Sequence, residues 1–337
     1  MAVDTTPAIA ATLPGPPGRP ITGNLNEFVA DRLTYLRELA RTYGDVVRLK
    51  MLGRDLILLV HPDAIEEVLV TKKRHFIKAR ATRATGALMG NGLLISEGDF
   101  WRRQRRLAQP AFHRERIARY SHLMTGYGER MLEHWQPGAT LDVHDEMVKV
   151  TLAIAAKAFF NADVAGAASD VGRSLETALD HFNWWGKSGF MIPLWVPFRA
   201  NRELAAAKRR MDALVYGIIA NRRRTGEDPG DLLSMLLNAR DDDGSGMSDV
   251  QLRDEVMTLL LAGHETTANA LTWTFMLLAQ HPESDARLAE ELRTVLGGRT
   301  PALDDIARLP YTDMVIKESM RLYPPAWVLG YEATEPV

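Results

Sequence analysis

From Asp249 to Gln280 no proline interrupts the chain, and this stretch constrains the fold more than any other. Ser248, followed three residues later by Gln251, fits a capping box; Asp249 suits the positive end of a helix dipole. His281-Pro282 closes the run. The spacing predicts one helix over 249–280, roughly three times a typical helix length. Leu259, Leu260, Leu261, Leu271, Trp273, Phe275, Leu277 and Leu278 make it apolar enough to be largely buried. Halfway along sits AGHETTAN, Ala262 to Asn269. A mid-helix glycine costs about 1 kcal/mol against alanine, and unpartnered buried polar groups cost a few more. Gly263 removes a side chain where something must approach the backbone. Thr266 can return its hydroxyl to the carbonyl of residue 262 or turn it outward, and Glu265 sets an acid beside it, the start of a proton relay. A kinked core helix whose polar groups satisfy one another accounts for the same residues. A zinc hydrolase does not, because the second histidine of HExxH would fall on Ala268.

The rest of the chain is also helical for the most part. Residues 1–26 are rich in Pro, Gly and Thr and are expected to pack as an irregular arm or to remain mobile. Apolar spacing predicts a helix over 28–43, stopped by Gly44. Val46–Met51 and Leu56–Val60, joined through Gly53, read as a β-hairpin. Helices are expected over 63–70, 98–109, 115–134, 144–160, 170–182, 200–224, 230–239, 283–296 and 311–322, with proline or glycine breakers between them. The fold class expected is mainly α with a small β-sheet.

Composition excludes several functions. Forty-one basic against 43 acidic residues leave a net charge of −2, so nucleic acid is not an expected partner. There are no cysteines, which removes disulfides, thiolate catalysis and zinc–thiolate sites. The N-terminus has no basic region before an apolar core, and no later run reaches the ~18 apolar residues that span a bilayer. No transmembrane anchor is expected, and the location expected is cytoplasmic.

Three motifs, in order, resemble those of the cytochrome P450 family. AGHETT, residues 262–267, resembles its oxygen-binding signature; KESMRLYPP, residues 317–325, its Glu-x-x-Arg motif; and GDFWRRQRRLAQPAF, residues 98–112, its cofactor-contacting helix. The resemblance implies a haem-dependent monooxygenase of the bacterial soluble type, with haem b and O2, acting on an apolar small molecule. It implies that Ala262 and Gly263 line the oxygen pocket and that Glu265 and Thr266 are the acid–alcohol pair delivering protons. Trp101 and Arg105, four apart on one helix face, would hold a haem propionate. Glu318 and Arg321 would form a structural ion pair; in isolation that pattern is an ordinary exposed salt bridge. Arg102, Arg103 and Arg106 are candidates for docking an acidic electron-transfer partner, or form a solvated basic face. No flavin or iron–sulfur module is present, so a separate ferredoxin or flavodoxin-type donor is implied.

Two departures stand out. Tyr331 lies near the place where the family commonly has an arginine for the second propionate. The cysteine ligand to iron, carried by a loop near the C-terminus in this family, has no counterpart here, and no metal ligand is assigned. Residues 27–337 are thus expected to be a partial domain, truncated before that loop and inactive alone. The alternative is a non-catalytic helical fragment, or a protein binding an apolar ligand without haem. Residues 182–198, with three tryptophans, would roof a substrate channel or simply pack.

Overall fold

The structure, a computed structural model, describes residues 13–161, 172–174, 177, 180–181 and 195–335. The chain divides into two compact units. The first comprises Met1–Ala81, Ala178–Glu203 and Gly330–Val337; the second comprises Thr82–Thr177 and Leu204–Leu329.

In the first unit the described part of the proline-rich arm lies along a hairpin. Strand β1 (Val46–Met51) pairs antiparallel with β2 (Arg54–Leu59). Leu52 and Gly53, both at positive φ (49° and 78°), make the turn. The connection is two residues shorter than the sequence implies, because polar Arg54 and Asp55 join the ladder. Proline cannot donate, so the arm offers carbonyls: Pro14 accepts from Arg48 N–H at 2.8 Å. The Asn24 side chain donates to the Pro17 carbonyl and accepts from Lys50 N–H at 2.9 Å.

Two helices follow the arm, α1 (Leu25–Ala30) and α2 (Arg32–Tyr43), where the periodicity predicts one. Asp31 divides them, at φ −154°, and its carboxylate accepts from Thr34 N–H as the cap of α2. Val47, Leu49 and Leu39 form this unit's buried cluster, with Tyr35, Leu36, Tyr43 and Leu58 around it. The expected helix over 63–70 becomes an α-turn, Pro62–Glu66, followed by a π-turn, Glu67–Thr71. A second two-stranded sheet joins β3 (Phe76–Lys78) to β4 (Tyr331–Ala333), with Lys78 opposite Tyr331. Local patterning does not reveal a pair so distant in sequence.

The second unit is helical: α3 (Gly98–Ala108), α4 (Arg114–Glu133), α5 (Val143–Phe160), α6 (Arg199–Thr225, mostly in this unit), α7 (Leu232–Asn238), α8 (Asp249–Gln280), α9 (Pro282–Leu296) and α10 (Pro310–Leu322). The capping box of α8 is present: Gln251 N–H donates to Ser248 Oγ at 3.2 Å, and Ser248 N–H to Gln251 Oε1 at 2.8 Å. Helix α8 packs mainly on α5, and also on α10. Its 32 residues extend ~48 Å.

Burial along α8 departs from the expectation. Leu252, Val256, Met257 and Leu260 are fully buried, whereas Trp273 and Phe275 near its C-terminal end are 37% and 40% exposed. The C-terminal half lies against α10, where Trp273 stacks on Tyr323 at 4.9 Å, and its other flank faces solvent. The fold is mainly helical with small antiparallel sheets, and among the described residues no helix is long and apolar enough to cross a membrane.

Candidate active site

The polar interruption of α8 divides by helical face. Ala262, Gly263, Thr266 and Thr267 are exposed, while His264 and Ala268 are 2% and 0% exposed on the opposite side. Positions 262, 263, 266 and 267 recur at four-residue spacing and so form one stripe. It is open in the middle of a helix whose preceding turns are closed.

Within the stripe both hydroxyls return to the backbone. Thr266 donates to the Ala262 carbonyl at 2.6 Å and Thr267 to the Gly263 carbonyl at 2.7 Å. Glu265 turns elsewhere: Oε1 accepts from Asn269 Nδ2 at 3.4 Å, and Oε2 lies 3.8 Å from His264 Nε2. The acid and the alcohol are neighbours in the chain, each with its own partner, and no hydrogen bond between them is formed. His264 Nδ1 lies 3.0 Å from the Leu260 carbonyl, which can only accept, so that nitrogen carries the proton. Burial pushes the imidazole below its ordinary value.

Helix α3 carries the basic motif. The Arg105 guanidinium carbon lies 5.3 Å from the Trp101 ring centroid, the geometry of a cation–π pair. The neighbouring arginines are all engaged. Arg102 pairs with Asp99, and Arg103 and Arg106 converge on Asp241, where Arg103 Nε donates at 2.8 Å. The Asp242 N–H, then Arg106 and Arg103, hold the Asp241 carboxyl below its ordinary value. Arg102, Arg103 and Arg106 are therefore ion-paired within the chain, while the side chains of Arg102 and Arg106 stay 65% and 58% exposed. Among the described residues Arg105 alone of the four has no carboxylate partner.

Glu318 and Arg321 form a bidentate pair on α10 with both contacts at 2.7 Å. Their side chains are 56% and 66% exposed, while Ser319 between them is buried and bonded to Thr274 of α8 at 2.9 Å. Tyr331 belongs to β4, in the other unit. Of the expected channel roof, residues 182–194 lie outside the described residues; Trp195 at its end is 83% exposed.

One cluster was not anticipated. Arg253, Asp254 and Glu255 are 2%, 8% and 1% exposed, more deeply buried than most of the leucines expected to anchor α8. Arg253 bonds Asp212, Asp254 and the Leu88 carbonyl. The available signal was three consecutive charges inside an apolar run, together with two glycines in GNG, residues 90–92.

Comparison with known proteins gives these features a family. Residues 13–337 match the model of cytochrome P450. Cyclooctatin synthase of Streptomyces melanosporofaciens is 37% identical over 325 residues, covering 95% of this chain and 70% of that protein. Cyclooctat-9-en-7-ol 5-monooxygenase of the same organism is 36% identical (96% and 70%), and pentalenene oxygenase of Streptomyces avermitilis is 33% identical (95% and 71%). The mainly helical fold with small antiparallel sheets and these relatives define an oxidoreductase. The chain belongs to the cytochrome P450 family, whose members are haem monooxygenases.

The residues present fit that cofactor on two observations. A Cβ built on Gly263 would meet only the Phe159 ring within 4 Å, at 3.6 Å, so no other part of the fold crowds the backbone at that point. Arg105 pairs with no carboxylate of the described residues and lies beside the Trp101 indole. With no cysteine in 337 residues, the thiolate ligand typical of the family is not among them.

Proposed function

We propose that the protein inserts one oxygen atom of O2 into an apolar, alkene-type small molecule, using haem b and electrons from a separate ferredoxin or flavodoxin-type protein. The observation that carries this reading is the open Ala262–Gly263–Thr266 stripe in the middle of α8. The names of the relatives denote oxygenation of an alkene and of an alkenol, which supports the substrate class. Haem, when bound, supplies the activation of dioxygen.

The chain's own residues do the rest. Trp101 and Arg105 would hold a propionate through an indole N–H and a guanidinium fork. Ala262 and Gly263 would let a flat ring system approach the backbone. Thr266 holds its proton on the Ala262 carbonyl, and rotation about χ1 would turn the hydroxyl outward. Glu265 would supply the next proton. Its bond to Asn269 is long, at 3.4 Å, so releasing it costs little. Binding comes first in the test. Haem titrated into the chain should saturate, and Arg105→Ala should weaken uptake about tenfold, as loss of one charge-assisted contact does; uptake unchanged in that variant would remove Arg105 from the site. In a form carrying the family's thiolate loop, Thr266→Ala should raise peroxide release and lower product per electron pair. Unchanged coupling would remove Thr266 from proton delivery.

The cysteine-free sequence favours a second statement: these 337 residues alone do not carry out the insertion. The reduced, carbon-monoxide-bound spectrum of the haem-loaded chain should lack a thiolate-type Soret band, and finding one would overturn this.

A further inference from the structure

Towards its N-terminus, the face of α8 that carries the stripe is covered. Glu255 precedes Ala262 by seven residues and Thr266 by eleven, close to two and three full turns, so the three share one face. The Gly90–Leu93 segment lies over this face. Asn91 N–H donates to Asp254 Oδ2 at 2.8 Å and Leu93 N–H to Glu255 Oε2 at 3.1 Å. A Cβ on Gly90 would fall inside the Asp254 carboxylate, and one on Gly92 would strike Thr258 Oγ1 and the Asp254 carbonyl. Only glycines allow this approach, and Gly90 also needs its positive φ of 72°.

The hydrogen bonds continue from there into α3. The Gly92 carbonyl accepts from Ile95 N–H and Ser96 N–H, both at 2.9 Å, and the Glu97 carbonyl accepts from Trp101 N–H at 3.1 Å. Eight residues lead from Leu93, held by Glu255, to Trp101, and the N–H groups of Ile95, Ser96 and Trp101 fix the path by backbone bonds. The other end of α3 is tied to the same helix, since Arg103 and Arg106 hold Asp241 in the loop that runs into the Ser248 cap.

We propose that Glu255 is a positioning residue that fixes α3, with Trp101 and Arg105, relative to the Ala262–Thr266 stripe. The two halves of the cofactor site then hold one spacing. This rests on the cofactor roles proposed above for Trp101 and Arg105.

Hydrogen–deuterium exchange of the full chain tests the tie without haem. Glu255→Ala should speed exchange about ten- to a hundredfold in peptides covering residues 90–97 and in those covering 98–104, the size expected for losing a buried hydrogen bond. Glu255→Gln, which keeps an acceptor oxygen, should stay within about threefold of wild type. If Glu255→Ala does not fold, Gly92→Ala breaks the same tie from the loop side with Glu255 intact, and the same two peptides should loosen. Faster exchange confined to 90–97, or equal effects of Gln and Ala, would overturn the proposal.

Haem affinity gives the second readout. Glu255→Ala should weaken haem binding about tenfold, and in the Arg105→Ala background its further effect should be clearly smaller, because part of it runs through Arg105. Additive losses would mark a general structural role and overturn the proposal. A chain that binds no haem yet shows coupled exchange loses the cofactor reading and keeps the tie. A chain that binds haem while α3 ignores Glu255 loses the tie and keeps the cofactor reading.

Discussion

Two adjoining parts of α8 invert the usual rule of burial. Residues 252–258 hold three consecutive charges and are closed on every side; residues 262–267 are half open, with the small and hydroxylic Ala262, Gly263, Thr266 and Thr267 exposed and His264 buried. The buried charges are tolerable because each has a partner fixed by the fold, while an unpaired one would cost several kcal/mol. The open stripe is tolerable because its polar groups are satisfied within the helix by return to carbonyls one turn back. The first part holds the molecule together. The second leaves a surface uncovered, which supports the proposal that it faces a cofactor.

Removing Arg253 should give the largest effect. Arg253→Met keeps the bulk and deletes the charge, leaving Asp254 without its cation though still bonded by Asn91 N–H, and the Leu88 carbonyl without the guanidinium, while Asp212 retains Lys208 at 2.6 Å. Breaking a buried pair in this way costs about 3–5 kcal/mol. A urea unfolding curve should show a loss of that size; a loss below about 1 kcal/mol would mean the closed half draws its stability from its apolar side chains. The effect should exceed that of any single substitution in the stripe.

His264 provides a test set by pH. Its imidazole is depressed by burial, so the unfolded chain accepts a proton near its ordinary value of 6.5 while the folded chain resists it. The folded state therefore loses stability as pH falls below about 6.5, down to the depressed folded value, and no further beneath it. His264→Leu should flatten this part of the profile, measured as the difference in urea midpoint between pH 7 and pH 5. An unchanged difference would place the titration in other groups.

The sequence made one side of this comparison far more legible than the other. Proline placement, the capping box and apolar spacing mark α8 to the residue, because those signals are local. The stripe was legible because glycine, acid and threonine in an apolar helix are locally anomalous. The partners of Arg253 were not: Leu88 and Asp212 lie 165 and 41 residues away, and nothing local says that a charge has a partner across the fold. The same distance hid the β3–β4 pairing. Asp31 shows the opposite failure, where periodicity runs on through a residue whose side chain caps a new helix.

Glycine sharpens the contrast. At Gly92 an added methyl would collide with Thr258 and the Asp254 carbonyl, whereas at Gly263 it would make ordinary contact with Phe159 alone. Gly263→Ala should thus stabilise the chain by up to about 1 kcal/mol, the helix propensity of alanine over glycine, read as a higher unfolding midpoint. With that gain should come weaker haem uptake, since the methyl stands in the proposed approach to the backbone. Destabilisation instead would show that the stripe is packed.

The smallest effect should come from Glu318→Gln. Its partner Arg321 holds the Glu318 carboxyl below its ordinary value, yet both side chains are more than half exposed, so water and salt screen the pair and ordering two long side chains offsets much of the attraction. The unfolding midpoint should match wild type at moderate salt and fall slightly only at low ionic strength. The pair's contribution should also fade as pH drops through the lowered carboxyl value, the sign expected of a depressed acid. The ion pairs of this chain would then be ranked by burial: strong at Arg253, where water is excluded, and weak at Arg321, where the geometry is as good but the surroundings are wet. A large loss at moderate salt would contradict that ranking and show Glu318 acting through more than its exposed contact with Arg321.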